Sequence, residues 1–178
     1  MPLARLIRIQ SSTLNRFLAI LFDMKLFLYL PKCEDLWFRQ KMLSDEETMS
    51  FNKTWGGTIS FPVEKWEKWY NHWVVNNGEE RYYRYLQNEN QEFVGEIAYH
   101  YDTNYHGYMA NVLIYSKYRR QGYGSMGLQL LCDEAKRNGI AVLYDDIAID
   151  NPGISIFLKQ DFQEVSRNDK TILLEKHL

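Results

Sequence analysis

The segment that most constrains this chain runs from Tyr108 to Asn138. An apolar run, Tyr108 to Tyr115, gives way to a loop with glycines at 122 and 124, and a helical pattern follows from about Ser125 until Gly139 stops it. A strand, a sharp turn and a helix start in that order suit an anion. Gly122 and Gly124 let the backbone approach a ligand closely, and the free N–H groups of the first helical turn, aided by the helix dipole, face it. Arg119 and Arg120 add positive charge. The loop is not a Walker loop, since no Gly-Lys-Ser/Thr follows, and it lacks the third glycine of the dinucleotide fingerprint. The plain alternative is a tight turn with two solvated arginines.

Around this segment the hydrophobic period changes twice. Leu26 to Leu30 reads as a first strand and Glu34 to Leu43 as a short helix. Ser44 with Glu47 matches a capping box, so a second short helix is expected from Asp45. Trp55-Gly56-Gly57-Thr58 reads as a turn. Pro62 suits a helix first turn, and Val63, Trp66, Trp69, Tyr70 and Trp73 recur at helical spacing until Asn76-Asn77-Gly78. Arg81 to Leu86, Phe93 to Tyr101 and Tyr108 to Tyr115 then alternate with period two and have short links, which predicts an antiparallel meander. Beyond the helix, Ala141 to Ile149 is a strand, Pro152 to Lys159 a helix and Thr171 to Leu174 a last strand. Strands first, then alternating helix and strand, indicate an α+β fold with mixed pairing.

Composition narrows the function classes. With 178 residues the chain has the size of one domain, and a net charge of −2 excludes the global positive field of a strongly basic nucleic-acid binder. The N-terminal stretch 1–23 holds Arg5, Arg8 and Arg16, but its longest apolar run, Phe17 to Phe22, is too short for a signal peptide or a membrane span. We read residues 1–23 as an extension and 24–178 as the domain. Two cysteines, Cys33 and Cys132, stand apart from any His cluster, so no metal site is expected and a reduced, cytoplasmic setting fits. Cys132 reads as packing rather than as a nucleophile, and a homodimer is the ordinary expectation for a soluble protein.

Arg119-x-x-Gly122-x-Gly124 after an apolar strand resembles the acyl-CoA loop of the GNAT superfamily of N-acetyltransferases. The similarity continues through Gly127-Leu128-Gln129-Leu130-Leu131 and Gly139 into Asp150-Asn151-Pro152 and Ile154 to Phe162, and covers roughly Tyr108 to Val165. The resemblance implies a mostly antiparallel mixed sheet flanked by helices. In it, two splayed parallel strands, Tyr108 to Tyr115 and Ala141 to Ile149, would hold acetyl-CoA as co-substrate. It implies backbone N–H groups from Arg120 through Gln121, Gly122, Tyr123, Gly124 and Ser125 on the pyrophosphate. Val112 and Ile114 would pair with the pantetheine arm, with the Ile114 N–H near the thioester oxygen. Asn151, or Asp150 beside it, would hold the arm from the next helix. Phe157 stands beside the acyl-CoA where relatives carry a tyrosine that protonates the departing thiolate, and Phe157 has no proton to give. Tyr118 or Tyr144 are the substitutes, or water.

The implied reaction moves an acetyl group to a primary amine, small molecule or peptide, by direct attack in a ternary complex, with neither nucleic acid nor membrane as partner. A protonated amine must first lose a proton. The strand before the loop carries no acid, which leaves Glu96, on one face with His100, and Asp145, on one face with Leu143, Ile147 and Ile149. An acid on an apolar face has the raised pKa that suits a base. The aromatic residues Trp66, Trp69, Tyr70 and Trp73 are either a core stripe or a wall that takes an amine through cation–π contact, and Asp45, Glu46 and Glu47 would attract a cation. Without the acid and the base, the chain would be a non-catalytic acyl-CoA-binding module.

Overall fold

The structure, a computed structural model, describes residues 25–76 and 78–178. The readings of residues 1–23, of Met24 and of Asn77 lie outside the described residues. Seven strands form one sheet: β1 Leu26–Tyr29, β2 Arg81–Asn88, β3 Phe93–Asp102, β4 Gly107–Ile114, β5 Val142–Ala148, β6 Gln163–Arg167 and β7 Thr171–His177, in the order β1-β2-β3-β4-β5-β7-β6. The expected meander is present: β2, β3 and β4 pair antiparallel through short turns. Among the described residues the single parallel contact joins β4 to β5, and it holds for two rungs, Tyr108 with Leu143 and Met109 with Tyr144. Past those rungs the two strands diverge.

Helices cover both faces. α1 (Leu36–Ser44) and α2 (Trp66–Tyr70, prolonged by a wider turn through Val75) lie on one side. α3 (Tyr123–Arg137) and the short α4 (Ile154–Leu158) lie on the other. α3 turns Leu128, Leu131, Cys132 and Ala135 to the sheet, a spacing that keeps them on one helical face, and they pack with Tyr82, Ile97, Leu143 and Leu174. On the opposite side Leu36, Phe38 and Met42 of α1 pack with Tyr83, Tyr85, Ala98 and Leu113. Both faces of β2 are therefore buried, which explains its run of adjacent tyrosines. Cys132 is part of the core, as expected.

Two local expectations differ from the structure. No helix starts at Asp45. The Asp45 carboxylate accepts the Thr48 amide (2.7 Å) and hydroxyl (2.5 Å) and so closes a turn, while the Ser44 hydroxyl donates back to the Lys41 carbonyl at 3.1 Å. A carboxylate is the stronger acceptor and wins the capping position from the neighbouring serine. Strand β6 is the second difference. All five of its residues are exposed at the sheet edge, so no alternation of buried and exposed residues marks it.

Candidate active site

The loop after β4 is built for backbone donors. Gly122 sits at φ +92°, a conformation that side-chain-bearing residues rarely adopt, and it ends the loop where α3 begins. The first helical bond is from the Met126 N–H to the Gly122 carbonyl at 3.1 Å. The N–H groups of Arg120, Gln121, Gly122, Tyr123, Gly124 and Ser125 thus have no partner among the described residues, at the positive end of a 15-residue helix. The Gln160 side chain braces this helix start, donating to the Ser125 carbonyl (2.6 Å) and hydroxyl (3.0 Å).

The two loop arginines have different duties. Arg119 is half-buried and spends its guanidinium on backbone carbonyls: Ile114 at 3.2 Å, Glu47 at 2.9 Å and Thr48 at 2.5 Å. Arg120 is exposed, makes no hydrogen bond or ion pair among the described residues, and carries the charge free to meet an anion. Arg119 instead ties the loop to the Asp45–Thr48 turn. Ser116 reinforces that tie, its amide donating to the Thr48 hydroxyl (2.9 Å) and its hydroxyl to Asp45 (2.8 Å).

Between β4 and β5 lies an open edge. The Tyr115 N–H donates to the Val94 carbonyl at 3.0 Å, and Ile114 stands opposite Gly95. Alternate residues of an antiparallel ladder point their polar groups to opposite sides. Val112 and Ile114 therefore direct N–H and C=O away from β3, toward the strand that has departed. Asp145 follows Tyr144, the last residue of β5 paired with β4, so it stands at the closed end of the wedge. By alternation it shares the α3-side face with the buried Leu143 and Ile147. Burial pushes its carboxyl well above the usual carboxylate range, and the neighbouring charge of Asp146 adds to the shift.

Glu96 lies on the other face and meets different chemistry. It is 1% exposed, forms an ion pair and hydrogen bond with Arg39 Nη1, and accepts the Tyr83 hydroxyl at 2.5 Å. Burial and the Glu96 charge hold the Tyr83 phenol well above its ordinary range. The structure therefore does not bring Glu96 and Asp145 together. His100 shares the Glu96 face, as expected, and rests edge-on to Trp73 at 5.7 Å between ring centroids. Burial holds its imidazole below the ordinary histidine range, with the Arg81 charge adding to this and Asp102 opposing it.

The second motif is only partly free. The Asn151 carboxamide oxygen accepts the Gly153 amide at 2.8 Å and sets the turn into α4. Phe157 is buried edge-on against Phe162, with ring centroids 5.0 Å apart. Of the two tyrosines considered as proton donors, Tyr144 lies at the closed end of the wedge. Tyr118 lies beside the loop at its open end and accepts from Lys117 Nζ at 3.2 Å.

Sequence reasoning missed Arg39, although a signal was there. Leu36, Arg39, Met42 and Leu43 fall on one helical face, and an arginine among buried neighbours demands a buried partner. It also missed the tie from Asp45 and Thr48 to Ser116, which no local spacing could announce.

A model of the acetyltransferase (GNAT) family matches residues 40–162, more than half of the chain. The chain belongs to the GNAT acetyltransferase family. With that it is an acyl-CoA-dependent acyltransferase, and its mixed sheet with a splayed parallel pair is the family's fold. Among solved structures it is similar to the spermidine N-acetyltransferase of Vibrio cholerae in complex with CoA and spermine, at 13% identity and a TM-score of 0.73, over 85% of this chain and 95% of that one. A domain from Methanocaldococcus jannaschii is similar at 17% identity and a TM-score of 0.71, over 88% and 100%. An N-acetyltransferase from Staphylococcus aureus Mu50 is similar at 17% and 0.70, over 86% and 98%. No curated protein matches the sequence. Among the described residues no helix is long and apolar enough to cross a membrane.

Proposed function

We propose that this GNAT member transfers acetyl from acetyl-CoA to a primary amine by direct attack in a ternary complex. The observation that carries the reading is the wedge between β4 and β5, with unused backbone donors along its edge and at its mouth. In this reading the pyrophosphate rests on the N–H groups from Arg120 to Ser125, with the Arg120 side chain beside it. The pantetheine arm enters from the loop and pairs with β4 as an added strand, meeting Ile114 first and Val112 deeper. Its thioester end then lies nearest the Val112 N–H. That group, rather than the Ile114 N–H, stabilises the charge that develops on the carbonyl oxygen.

Asp145 is the base we assign. Its position at the closed end suits a group that, in its ionised form, takes a proton from an ammonium, and burial raises its affinity for that proton. The amine nitrogen then attacks the thioester carbon, the C–S bond breaks and the sulfur leaves as a thiolate, and the proton still in excess on the new amide nitrogen passes to that thiolate, which becomes the free thiol of CoA. A free thiol has a pKa of about 8.5, so departure without a dedicated acid is feasible. Tyr144 is the side chain placed to assist. Glu96 has no part as a base in this reading, because Arg39 and Tyr83 hold its carboxylate.

The buried Phe157, with no proton to give, favours a second reading as a non-catalytic acyl-CoA-binding module. One experiment separates the two. Acetyl-CoA is titrated calorimetrically, and release of free thiol is then followed with a panel of amines. Saturable binding with amine-dependent thiol release supports the enzyme, and binding without release at any amine supports the module. No binding by folded protein overturns both.

A further inference from the structure

Four segments far apart in the sequence build a cage on the α1 side of the sheet. Phe61 comes from the loop before α2, Trp69 from α2, Tyr83 from β2 and Glu96 from β3. The walls hold one another: Trp69 meets Phe61 and Tyr83 edge-on, with centroids 5.7 Å and 4.7 Å apart, and stacks on Trp73 at 5.9 Å. The Arg39 guanidinium fills the cage. Its central carbon lies 4.6 Å from the Trp69 ring centroid, 5.5 Å from Phe61 and 5.7 Å from Tyr83, and Nη1 binds Glu96.

The side chain of Arg39 is only 18% exposed, and its buried Nε has no hydrogen-bond partner among the described residues. Ring faces and one carboxylate, not a complete set of hydrogen bonds, therefore hold this cation. That is the chemistry by which proteins bind guanidinium and alkylammonium groups, and it strengthens when the cation is desolvated. Phe61 also borders an open cleft of about 340 Å³ between α1 and the Ile59–Pro62 segment, so the cage lies next to solvent-accessible space.

We propose that Phe61, Trp69, Tyr83 and Glu96 form a binding site for a guanidinium or alkylammonium cation, and that Arg39 of the same chain occupies it. The aromatic surface that would take a cationic acceptor is thereby closed from within. Arg39 is in this sense a specificity-determining residue: it withholds the cage from acceptors that carry a second cation. Trp73 joins the cage wall to His100, which stands opposite Met109 on the last paired rung of β4 and β5. The filled cage is thus linked through Trp73 and His100 to the closed end of the wedge, on the α1 face of the sheet. The site stands on its own geometry, whether or not acetyl transfer follows the route proposed above.

Replacing Arg39 by alanine empties the cage and makes the claim testable without acyl-CoA. Methylguanidinium chloride, at millimolar concentration, is titrated into Arg39→Ala and wild type, with potassium chloride as the ionic control, while tryptophan fluorescence and thermal midpoint are followed. The expected result is a saturable change in Arg39→Ala with a raised midpoint, and no such change in wild type. The double variant Arg39→Ala/Glu96→Gln should bind about tenfold more weakly or worse, because the charge-assisted bond is gone. If Arg39→Ala is largely unfolded, the same titration reads the folded fraction regained. No gain over potassium chloride, or an equal response from wild type, overturns the proposal.

Discussion

Asp145 and Glu96 are both carboxylates on sheet strands, and their neighbours give them opposite chemistry. Asp145 is buried and has a second carboxylate next to it, so its acidic form is favoured over the range a free carboxyl shows. The sign for folding follows. The folded state holds the proton to higher pH than the unfolded one, so stability falls as pH rises from the ordinary carboxylate pKa, about 3.9, to the raised folded value. Asp145→Asn removes that penalty. We expect the variant to be more stable than wild type at neutral pH and yet slower in kcat by about 10²–10⁴-fold, with loss of the rising limb of the pH–rate profile. Chemical denaturation and a pH series check the two halves, and a variant that keeps both rate and profile removes Asp145 as the base. For Glu96 the expected failure is structural. Glu96→Ala strands the buried Arg39 charge and should cost about 3–5 kcal/mol, whereas Arg39→Met/Glu96→Leu should recover most of it. Denaturant unfolding decides, and a loss below about 1 kcal/mol would mean that the pair is no more than a surface ion pair. Strand alternation in the sequence showed which face each carboxylate takes. It was silent about partners, because Arg39 reaches Glu96 across 57 positions of chain.

Between the α1 side and the glycine loop after β4 runs a polar strut: Asp45 and Thr48 on one part, Ser116 and Arg119 on the other. It fixes where β4 ends and where the loop turns, so it acts on the loop's donors without touching them. Hydrogen bonds from Thr48, then from Ser116, with the Arg119 charge, hold the Asp45 carboxyl below the usual carboxylate range although partial burial works the other way. With the folded pKa depressed, this contribution is present above the unfolded carboxylate pKa, about 3.9, and is lost as pH falls through the lower folded value. Asp45→Asn should therefore lower stability by about 1–2 kcal/mol at pH 7 and weaken acetyl-CoA binding, with the stability gap to wild type closing in acid. Calorimetric binding together with unfolding at neutral and acid pH tests this, and unchanged affinity would separate the strut from the loop. The Ser44–Glu47 spacing pointed to this region and chose the wrong residue, since two acceptors stood side by side and spacing rules do not rank them. Strand β6 was illegible for a related reason: an edge strand with every side chain in water has no face to write a period on.

At the scale of the molecule, the sheet is two blocks joined at one seam. β1 to β4 form an antiparallel block, β5, β7 and β6 a second, and only two rungs join them directly. Tight packing makes the first block unyielding: a Cβ on Gly95 would overlap the Leu113 carbonyl oxygen, so even alanine there forces β3 and β4 apart. The order of elements that produces this seam was readable from the hydrophobic period, and the glycine loop showed where the seam opens. The divergence itself came only through family resemblance, since no local pattern encodes how far two parallel strands stay paired. A ligand arm that pairs with β4 would complete the seam as an eighth strand, and that predicts a spatially restricted response. Acetyl-CoA at about one hundred times its Kd should add about 2.7 kcal/mol of stability. For a chain of this size that raises the thermal midpoint by roughly 5–10 °C. Hydrogen exchange should slow at the Val112 and Ile114 amides and in the first turn of α3, while Tyr115, already bonded to Val94, should respond less. In Gly122→Val, whose loop would have to hold a branched residue at φ +92°, both responses should shrink together in the fraction that folds. Protection spread evenly over the sheet, or confined to the loop without Val112 and Ile114, would place the arm elsewhere and leave the wedge without an occupant.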